Sequence, residues 1–271
     1  MNSLNIYIIE KLHLNKRIQK YNYKPITNAE LHSLVRRLIK ERGDDADLND
    51  IDVSNVKNMS QLFANTNFNG DISTWDVSNA IIMNEMFLGC PFNGDISDWD
   101  VSNAVSMNDM FRRSKFNQDI SNWNVSKVNF MRYMFCESVF NGDISNWDVS
   151  NVRNMDEMFC KSKFTGDIYG WDVSSVIAME GMFSQSEFNS DISKWNVSKV
   201  IDMDNMFKYS KFNQDISNWD VSNVKFMKGT FKNSKFNQDI SNWNVNDDVI
   251  MDITTFMSSP LEKNPPKWYK K

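Results

Sequence analysis

Two rows of acidic and amide side chains recur every 24 residues, and they are the first candidates for chemistry. In the first row an aspartate always precedes an isoleucine: Asp71, Asp95, Asp119, Asp143, Asp167, Asp191, Asp215 and Asp239. A ladder of carboxylates could hold metal ions. A short side chain that recurs in every unit is, however, more typical of a turn, where it accepts backbone N–H groups. We therefore interpret this row as turn caps.

The second row stands between a tryptophan and a valine. It comprises Asp76, Asp100, Asn124, Asp148, Asp172, Asn196, Asp220 and Asn244. On stacked strands these side chains would face outward about 4.8 Å apart, where two carboxylates repel by roughly 0.9 kcal/mol in water. The interleaved asparagines limit that repulsion. The row predicts a solvated strand face, a ligand-binding face or, less readily, a metal site, since calcium requires about 6 to 8 oxygens.

A second candidate surface consists of apolar and aromatic residues at positions that other units fill with polar ones. Its members are Phe130, Tyr133, Tyr169, Tyr209 and Phe226, with Ile81 and Ile82 at related positions. Exposed aromatic residues are enriched at protein interfaces, although single apolar residues on a surface are also normal. This variable face is therefore either a binding patch or sequence drift.

The sequence contains few residues or motifs that could form an active site. Both histidines, His13 and His32, lie outside the repeats, and no phosphate-binding loop, nucleophile elbow or zinc-type spacing occurs. We predict a surface position for His32. A catalytic carboxylate pair needs two dissimilar environments, whereas the rows repeat one environment eight times. We predict no catalytic residues, no cofactor and no metal site.

The three cysteines form no metal-type cluster along the chain, and their odd number does not indicate a closed disulfide framework. Cys136 and Cys160 lie one repeat apart and can therefore sit on adjacent coils. We expect buried, reduced thiols, with Cys136–Cys160 pairing only under oxidation. Cys90 has no such neighbour.

The elements that carry these residues follow from the repeat itself. In the unit that starts at Phe68, tryptophan and valine alternate around Asp76, as in a short strand. Ala80, Met83, Met86 and Phe87 have the three-and-four spacing of a short helix. One unit cannot bury a core alone, so eight units must stack. The sequence predicts an α/β repeat solenoid, a leucine-rich-repeat-like array of eight 24-residue strand–helix units. A parallel β-helix is the alternative.

Three regions follow from this organisation. Residues 1–46 form an N-terminal cap of weak strands and a helix over about 28–42, which begins at a Thr27–Glu30 capping box and ends at Gly43. The weak strands rest on the alternation of Ile6, Ile8, Leu12 and Leu14. Residues 47–257 form the repeat array, and residues 258–271 a closing tail.

The repeat resembles that of the BspA-like leucine-rich-repeat surface proteins. The segment 116–135, Phe-Asn-Gln-Asp-Ile-Ser-Asn-Trp-Asn-Val-Ser-Lys-Val-x-x-Met-x-x-Met-Phe, carries the resemblance, which covers about 51–256. It implies a leucine-rich-repeat solenoid with a role in binding or adhesion. In the leucine-rich-repeat pattern L-x-x-L-x-L-x-x-N, the leucine positions correspond here to Ile72, Trp75 and Val77. The asparagine position is occupied by Ala80. Asn69 and its equivalents supply the asparagine ladder instead, or it is missing.

The net charge and the hydropathy of the chain argue against nucleic-acid binding and against a membrane span. With 35 acidic and 30 basic side chains, a net charge of -5 argues against a nucleic-acid binder. No apolar run is long enough to span a bilayer, and Ile6–Ile9 is interrupted by Glu10 with no basic segment before it. We expect a cytoplasmic chain as encoded, whereas the resemblance implies a cell surface. The predicted function is a non-enzymatic protein-binding scaffold, with glycan binding as the alternative.

Overall fold

The computed structural model describes residues 21–269 of the chain. Within these residues there are two helical elements, the α-helix α1 (Asn28–Arg42) and a 3₁₀ turn (Pro260–Glu262). No strand occurs in this range, and backbone pairing takes the form of isolated parallel bridges. The predicted weak strands of the N-terminal segment and His13 lie outside the described residues.

Helix α1 forms where the sequence predicts it. The Thr27 hydroxyl accepts the Glu30 N–H at 3.2 Å, and the Glu30 carboxylate accepts the Thr27 N–H at 3.3 Å, which completes the capping box. Gly43 ends the helix with a φ of 92°, a value that favours glycine. One face of the helix is buried, through Leu31, Val35 and Leu38.

The predicted strand–helix repeat is wrong, and so is the alternative of a parallel β-helix. Across residues 51–257 the chain consists of consecutive turns joined by short extended links, with no helix and no strand. Neither the leucine-rich-repeat architecture nor the β-helix can be built without those elements. The buried positions of the unit were nevertheless predicted correctly, from Phe68 and Ile72 to Met86 and Phe87.

In the segment that was expected to be helical, alternate N–H groups bond to the next unit. Glu85 N–H bonds to the Asn108 carbonyl at 2.8 Å, and Gly89 N–H bonds to the Arg112 carbonyl at 2.8 Å. In a helix these donors would bond four residues back within the same segment. Glu85 and Gly89 have φ values of 56° and 61°, so left-handed residues interrupt any helix every four positions. Successive turns therefore produce the three-and-four spacing of buried side chains.

The segment that was expected to be a strand is too short for one. Trp75 and Val77 point inward and Asp76 points outward, as the alternation predicts. A turn flanks the segment on each side, closed by hydrogen bonds from Trp75 N–H to the Ile72 carbonyl and from Ala80 N–H to the Val77 carbonyl. Only three residues are extended, so no strand ladder forms there.

Successive units lie against one another in register. Parallel bridges join Ile82 to Ser106 and Ser106 to Phe130, and the same step of 24 residues continues from Asn58 to Ile250. Three aromatic rows follow this register inside the molecule. Their ring centroids are 5.6 Å apart for Phe87–Phe111, 6.2 Å for Phe92–Phe116 and 6.4 Å for Trp75–Trp99. The core is thus continuous between units.

Both ends of the stack are covered. At the first unit, the side chains of Asn28 and His32 on α1 donate to the carbonyls of Asn58 and Ser60, at 3.0 and 2.8 Å. His32 is therefore half-buried and bonded, not a plain surface residue. At the last unit, Trp268 stacks on Trp243 at 5.9 Å and donates its indole N–H to the Ile240 carbonyl at 2.8 Å, as the repeat tryptophans do.

Candidate binding surface

The invariant aspartates before isoleucine are turn caps, as predicted. Asp95 Oδ1 accepts the backbone N–H of Ser97 at 2.9 Å and its hydroxyl at 2.7 Å. The same backbone bond recurs in each unit from Asp71 to Asp239. These bonds lower the pKa of Asp95 because they favour its charged form.

The row between tryptophan and valine is exposed in all eight units, as predicted. In seven of them Oδ1 also caps a turn; Asp100, for example, accepts the Ser102 N–H at 3.0 Å. The hydrogen bonds from Ser102 lower the pKa of Asp100. One side-chain oxygen per residue is thus committed to the fold, and the other part of the group faces solvent.

An asparagine ladder is present at Asn69 and its equivalents. Asn69 Oδ1 accepts the backbone N–H of Asn93 at 2.9 Å, and Asn93 Oδ1 accepts that of Asn117 at 2.8 Å. The ladder continues between later units. Of the two alternatives for this polar row, the structure confirms that Asn69 and its equivalents supply it.

The predicted variable face does not follow a single row of the stack. Phe130 and Phe226 belong to the bridged row, four units apart. Tyr133 and Tyr209 lie a few residues further along their own units, at left-handed positions with φ values of 56° and 57°. Tyr169 lies elsewhere, on the turn after Asp167, where the Lys194 ammonium stands 4.7 Å from its ring centroid. These five residues therefore belong to four different rows of the stack.

The bridged row and the row just before it form a continuous surface, which we call the bridge edge. Backbone bonds join its first row, for example from Val105 N–H to the Ile81 carbonyl at 2.8 Å. Two apolar patches interrupt an otherwise polar edge. The first comprises Ile81, Ile82, Val105 and Phe130, and the second comprises Ile177, Ala178, Ile201 and Phe226. Arg153 and Asn154 separate them.

Tyr133 is held more tightly than the sequence suggests. The guanidinium groups of Arg112 and Arg132 both lie against its ring, at 4.5 and 4.7 Å from the centroid. Its hydroxyl donates to Glu157 Oε1 at 2.6 Å. Burial, together with this carboxylate, raises the pKa of Tyr133 to about 12. Tyr133 therefore positions Glu157 rather than standing free for a partner.

Cys136 and Cys160 do sit on adjacent units, as their spacing predicts, and both are buried and free of disulfide bonds. Their Sγ atoms and a carboxylate oxygen of Glu157 all lie within 4.8 Å of one another. A hydrogen bond from the Cys160 thiol, aided by the Arg112 charge, lowers the pKa of Cys136, whereas the pKa of Cys160 is raised. Sequence reasoning found the cysteine pair but missed Glu157.

Three further carboxylates were also missed, those of Glu180, Asp202 and Asp204. Burial raises the pKa of each of them, and neighbouring carboxylates such as Asp156 add to the shift at Glu180 and Asp202. Glu180 and Asp204 are equivalent residues of adjacent units, in one row with Asp156, and Asp202 stands two residues before Asp204. The earlier units carry serine, asparagine or arginine in this row, so it is not acidic throughout the array. The four carboxylates make this part of the surface strongly acidic.

The fold and these surfaces define a class, a tandem-repeat protein whose 24-residue units pack in register. The chain matches the family model described as "Mycoplasma protein of unknown function, DUF285" over residues 34–138, 89–167, 112–187 and 161–268. These matches together span most of the sequence, and the chain belongs to this family. No curated protein and no solved structure matches it. Among the described residues, no helix is long and apolar enough to cross a bilayer.

Proposed function

We propose that this chain is a non-enzymatic scaffold that binds another protein through the bridge edge. The observation that carries the proposal is the pair of apolar patches on that edge. Phe130, Ile177 and Ile81 expose 43%, 41% and 37% of their surface. Large apolar side chains on the outside of a repeat stack favour a contact that removes them from water.

These apolar residues are not required by the fold. Ser106, Asn154 and Asp202 occupy the same bridged row as Phe130 and form the same parallel bridges. A polar side chain therefore serves the stack equally well at this position. The burial of Phe130 against a partner explains an aromatic residue there better than the packing of the chain does.

The spacing of the two apolar patches indicates which kind of partner would fit them. Phe130 and Phe226 belong to one row four units apart, which is roughly 19 Å for hydrogen-bonded backbones. Arg153, which is exposed, lies between the two patches. A fitting partner presents two apolar anchors at that separation, with an acidic or hydrogen-bonding group between them. Aromatic residues and arginine are the residue types enriched in interface centres.

Glycan binding is the second candidate, and the exposed Asp/Asn row favours it. Each member has a side-chain group at the surface, and the rows of neighbouring units are in register. Carboxylates and amides spaced in this way can accept hydrogen bonds from sugar hydroxyls. Asp100 and Asp148 are two exposed carboxylates of this row, and reversal of their charge tests the proposal.

A pull-down from host or microbial extracts and a glycan array, run on the same variants, distinguish the two candidates. Phe130→Ser with Ile177→Ser should abolish capture of a protein partner, whereas Asp100→Lys with Asp148→Lys should leave it intact. The opposite pattern on the glycan array supports sugar binding. Capture that survives Phe130→Ser with Ile177→Ser would overturn the bridge edge as the binding surface.

The resemblance to BspA-like proteins supports a finer proposal, that the scaffold is displayed at a cell surface as an adhesin-like module. The family match is coarser than this resemblance, because the family is described as of unknown function. Labelling of intact cells with an antibody against the chain tests the location. Signal that appears only after the cells are permeabilised would contradict it.

A further inference from the structure

Three metal-binding side chains come together at Cys136, Cys160 and Glu157. The two thiols lie on adjacent units, and Glu157 lies three residues before Cys160 on the same unit. Their ligand atoms are all within 4.8 Å of one another. The thiols are buried and the carboxylate is half-buried. This grouping does not involve the bridge edge.

We propose that Cys136, Cys160 and Glu157 bind one thiophilic divalent cation, with Zn²⁺ as the physiological candidate. Zinc accepts thiolate at about 2.3 Å and carboxylate at about 2.0–2.2 Å in a tetrahedral set. Ligand atoms of such a set lie within roughly 4 Å of one another, so small rotations of the three side chains complete the site. Both thiol protons pass to solvent when the metal binds.

A cleft gives the site access to solvent. Glu157, Cys160, Glu180 and Gly181 line it together with side chains of the next unit. Gly181 follows Glu157 in the same row, one unit later, and a Cβ at this glycine would lie 2.8 Å from Glu157 Cγ. The glycine thus leaves room for the Glu157 side chain and keeps the approach open. A water molecule that enters through this cleft would supply the fourth ligand.

Groups around the ligands support metal binding. The Tyr133 hydroxyl holds Glu157 Oε1 at 2.6 Å, which fixes the carboxylate in the way that outer hydrogen bonds fix metal ligands. The guanidinium of Arg112, on the unit before Cys136, places a positive charge near the thiols. Two thiolates and one carboxylate carry three negative charges. A divalent cation and Arg112 balance them.

Packing alone does not demand cysteine in the row that contains Cys136 and Cys160. Ala64, Leu88, Arg112, Ser184 and Lys208 occupy the equivalent positions of other units. Ser184 is buried there, as the cysteines are. Serine is therefore compatible with the fold at this position, which makes Cys136→Ser and Cys160→Ser suitable test variants. Cys90 lies in a different row and provides the control, Cys90→Ser.

Titration of the full reduced chain with Co²⁺, followed by displacement with Zn²⁺, tests the proposal. We expect one equivalent of cobalt to bind with a thiolate-to-cobalt charge-transfer band, which zinc removes. Cys90→Ser should keep the band, and Cys136→Ser or Cys160→Ser should abolish it. Tyr133→Phe should weaken affinity roughly 10- to 100-fold, as loss of an outer hydrogen bond does.

Three results would overturn the proposal. The first is the absence of a charge-transfer band at stoichiometric cobalt in the wild-type chain. The second is a band that persists in the Cys136→Ser/Cys160→Ser double variant. The third is an intact mass two hydrogens below the reduced value under the same reducing conditions, which would assign the pair to a disulfide. Thermal unfolding of each variant confirms that the stack is folded.

Discussion

At the scale of single residues, short polar side chains supplement the backbone hydrogen bonds that join the units. A chain made of turns leaves many N–H groups without a partner in the same segment. Asp95 and Asp100 each cap a turn of their own unit, and Asn93 caps the next unit. The recurrence of these residues in every unit follows from this demand, because each turn needs its own acceptor.

Removal of one rung of the asparagine ladder should cost a modest, measurable stability. Asn117 Oδ1 accepts the Asn141 N–H at 2.8 Å, and alanine would leave this donor to water. We expect Asn117→Ala to lower the free energy of unfolding by about 1 kcal/mol, the net worth of a typical hydrogen bond. Urea denaturation measures it. Asn122→Ala, at an exposed position that carries glycine or lysine in other units, is the control and should change stability little.

The carboxylates predict how stability changes with pH. Glu180, Asp202 and Asp204 have raised pKa values, so protonation favours the folded state. The chain should gain stability as the pH falls through their folded pKa values, and the gain is complete below their unfolded ones. Asp95 and its equivalents have lowered pKa values, so their contribution is complete above their unfolded pKa and is lost as pH falls through the folded one. Stability should therefore peak at mildly acidic pH. A profile that falls continuously from neutral pH would contradict this.

Substitutions of two glutamates, Glu180 and Glu187, test the stabilisation on mild acidification separately. Burial and neighbouring carboxylates raise the pKa of Glu180, so Glu180→Gln should stabilise the chain at neutral pH and flatten its pH dependence. Glu187 is the control, because Lys211 lowers its pKa. Glu187→Gln should bring no gain. Thermal unfolding at neutral and mildly acidic pH compares the two, and equal behaviour would refute the assignment.

At the scale of elements, the sequence predicts burial well and secondary structure poorly. The pattern of apolar residues identified every row of the core, and the capping box located α1. The same pattern could not separate a helix from consecutive turns, because both bury residues three and four apart. What separates them is the left-handed backbone at Glu85 and its equivalents, and a glutamate or a tyrosine there carries no signal of it. Glu157 stayed hidden although it stands only three residues before Cys160, because the turn that brings the two side chains together has no signal in the sequence.

Two left-handed positions in adjacent units should be energetically coupled. Gly229 has a φ of 62°, and a Cβ there would lie 2.8 Å from Asn205 Oδ1, one unit earlier in the same row. We expect Gly229→Ala to destabilise the chain by about 1–2 kcal/mol, from the left-handed backbone alone, and by more through this contact. In the Asn205→Gly background the contact disappears, so the loss should be smaller.

A double-mutant cycle measures this coupling by urea denaturation. Gly170→Ala is the control, because it has no atom within 4 Å of its Cβ position and no left-handed backbone. This control should be neutral or slightly stabilising. Strict additivity of Gly229→Ala and Asn205→Gly would mean that the two side-chain positions do not meet across the units.

At the scale of the whole molecule, each unit finds its core in its neighbours. The bridges and aromatic rows join residues one period apart, and α1 and Trp268 close the two ends. In such an array, stability is close to a sum of unit terms and nearest-neighbour terms. The length of the chain is then adjustable in whole periods but not in fractions of a period.

Deletion of one whole period should therefore preserve the fold. Removal of residues 188–211 joins Glu187 to Phe212, and Ala178 would then pair with Phe226 in place of Asp202. We expect a folded chain whose urea m-value is lower by roughly a tenth, in proportion to the surface that one unit buries. Removal of residues 188–199 instead shifts the rows by half a period and brings Asp204 into the buried row of Ile168. In this shorter deletion the tryptophan side chains should be exposed to solvent, which tryptophan fluorescence measures. Equal folding of both variants would contradict the packing of units in register.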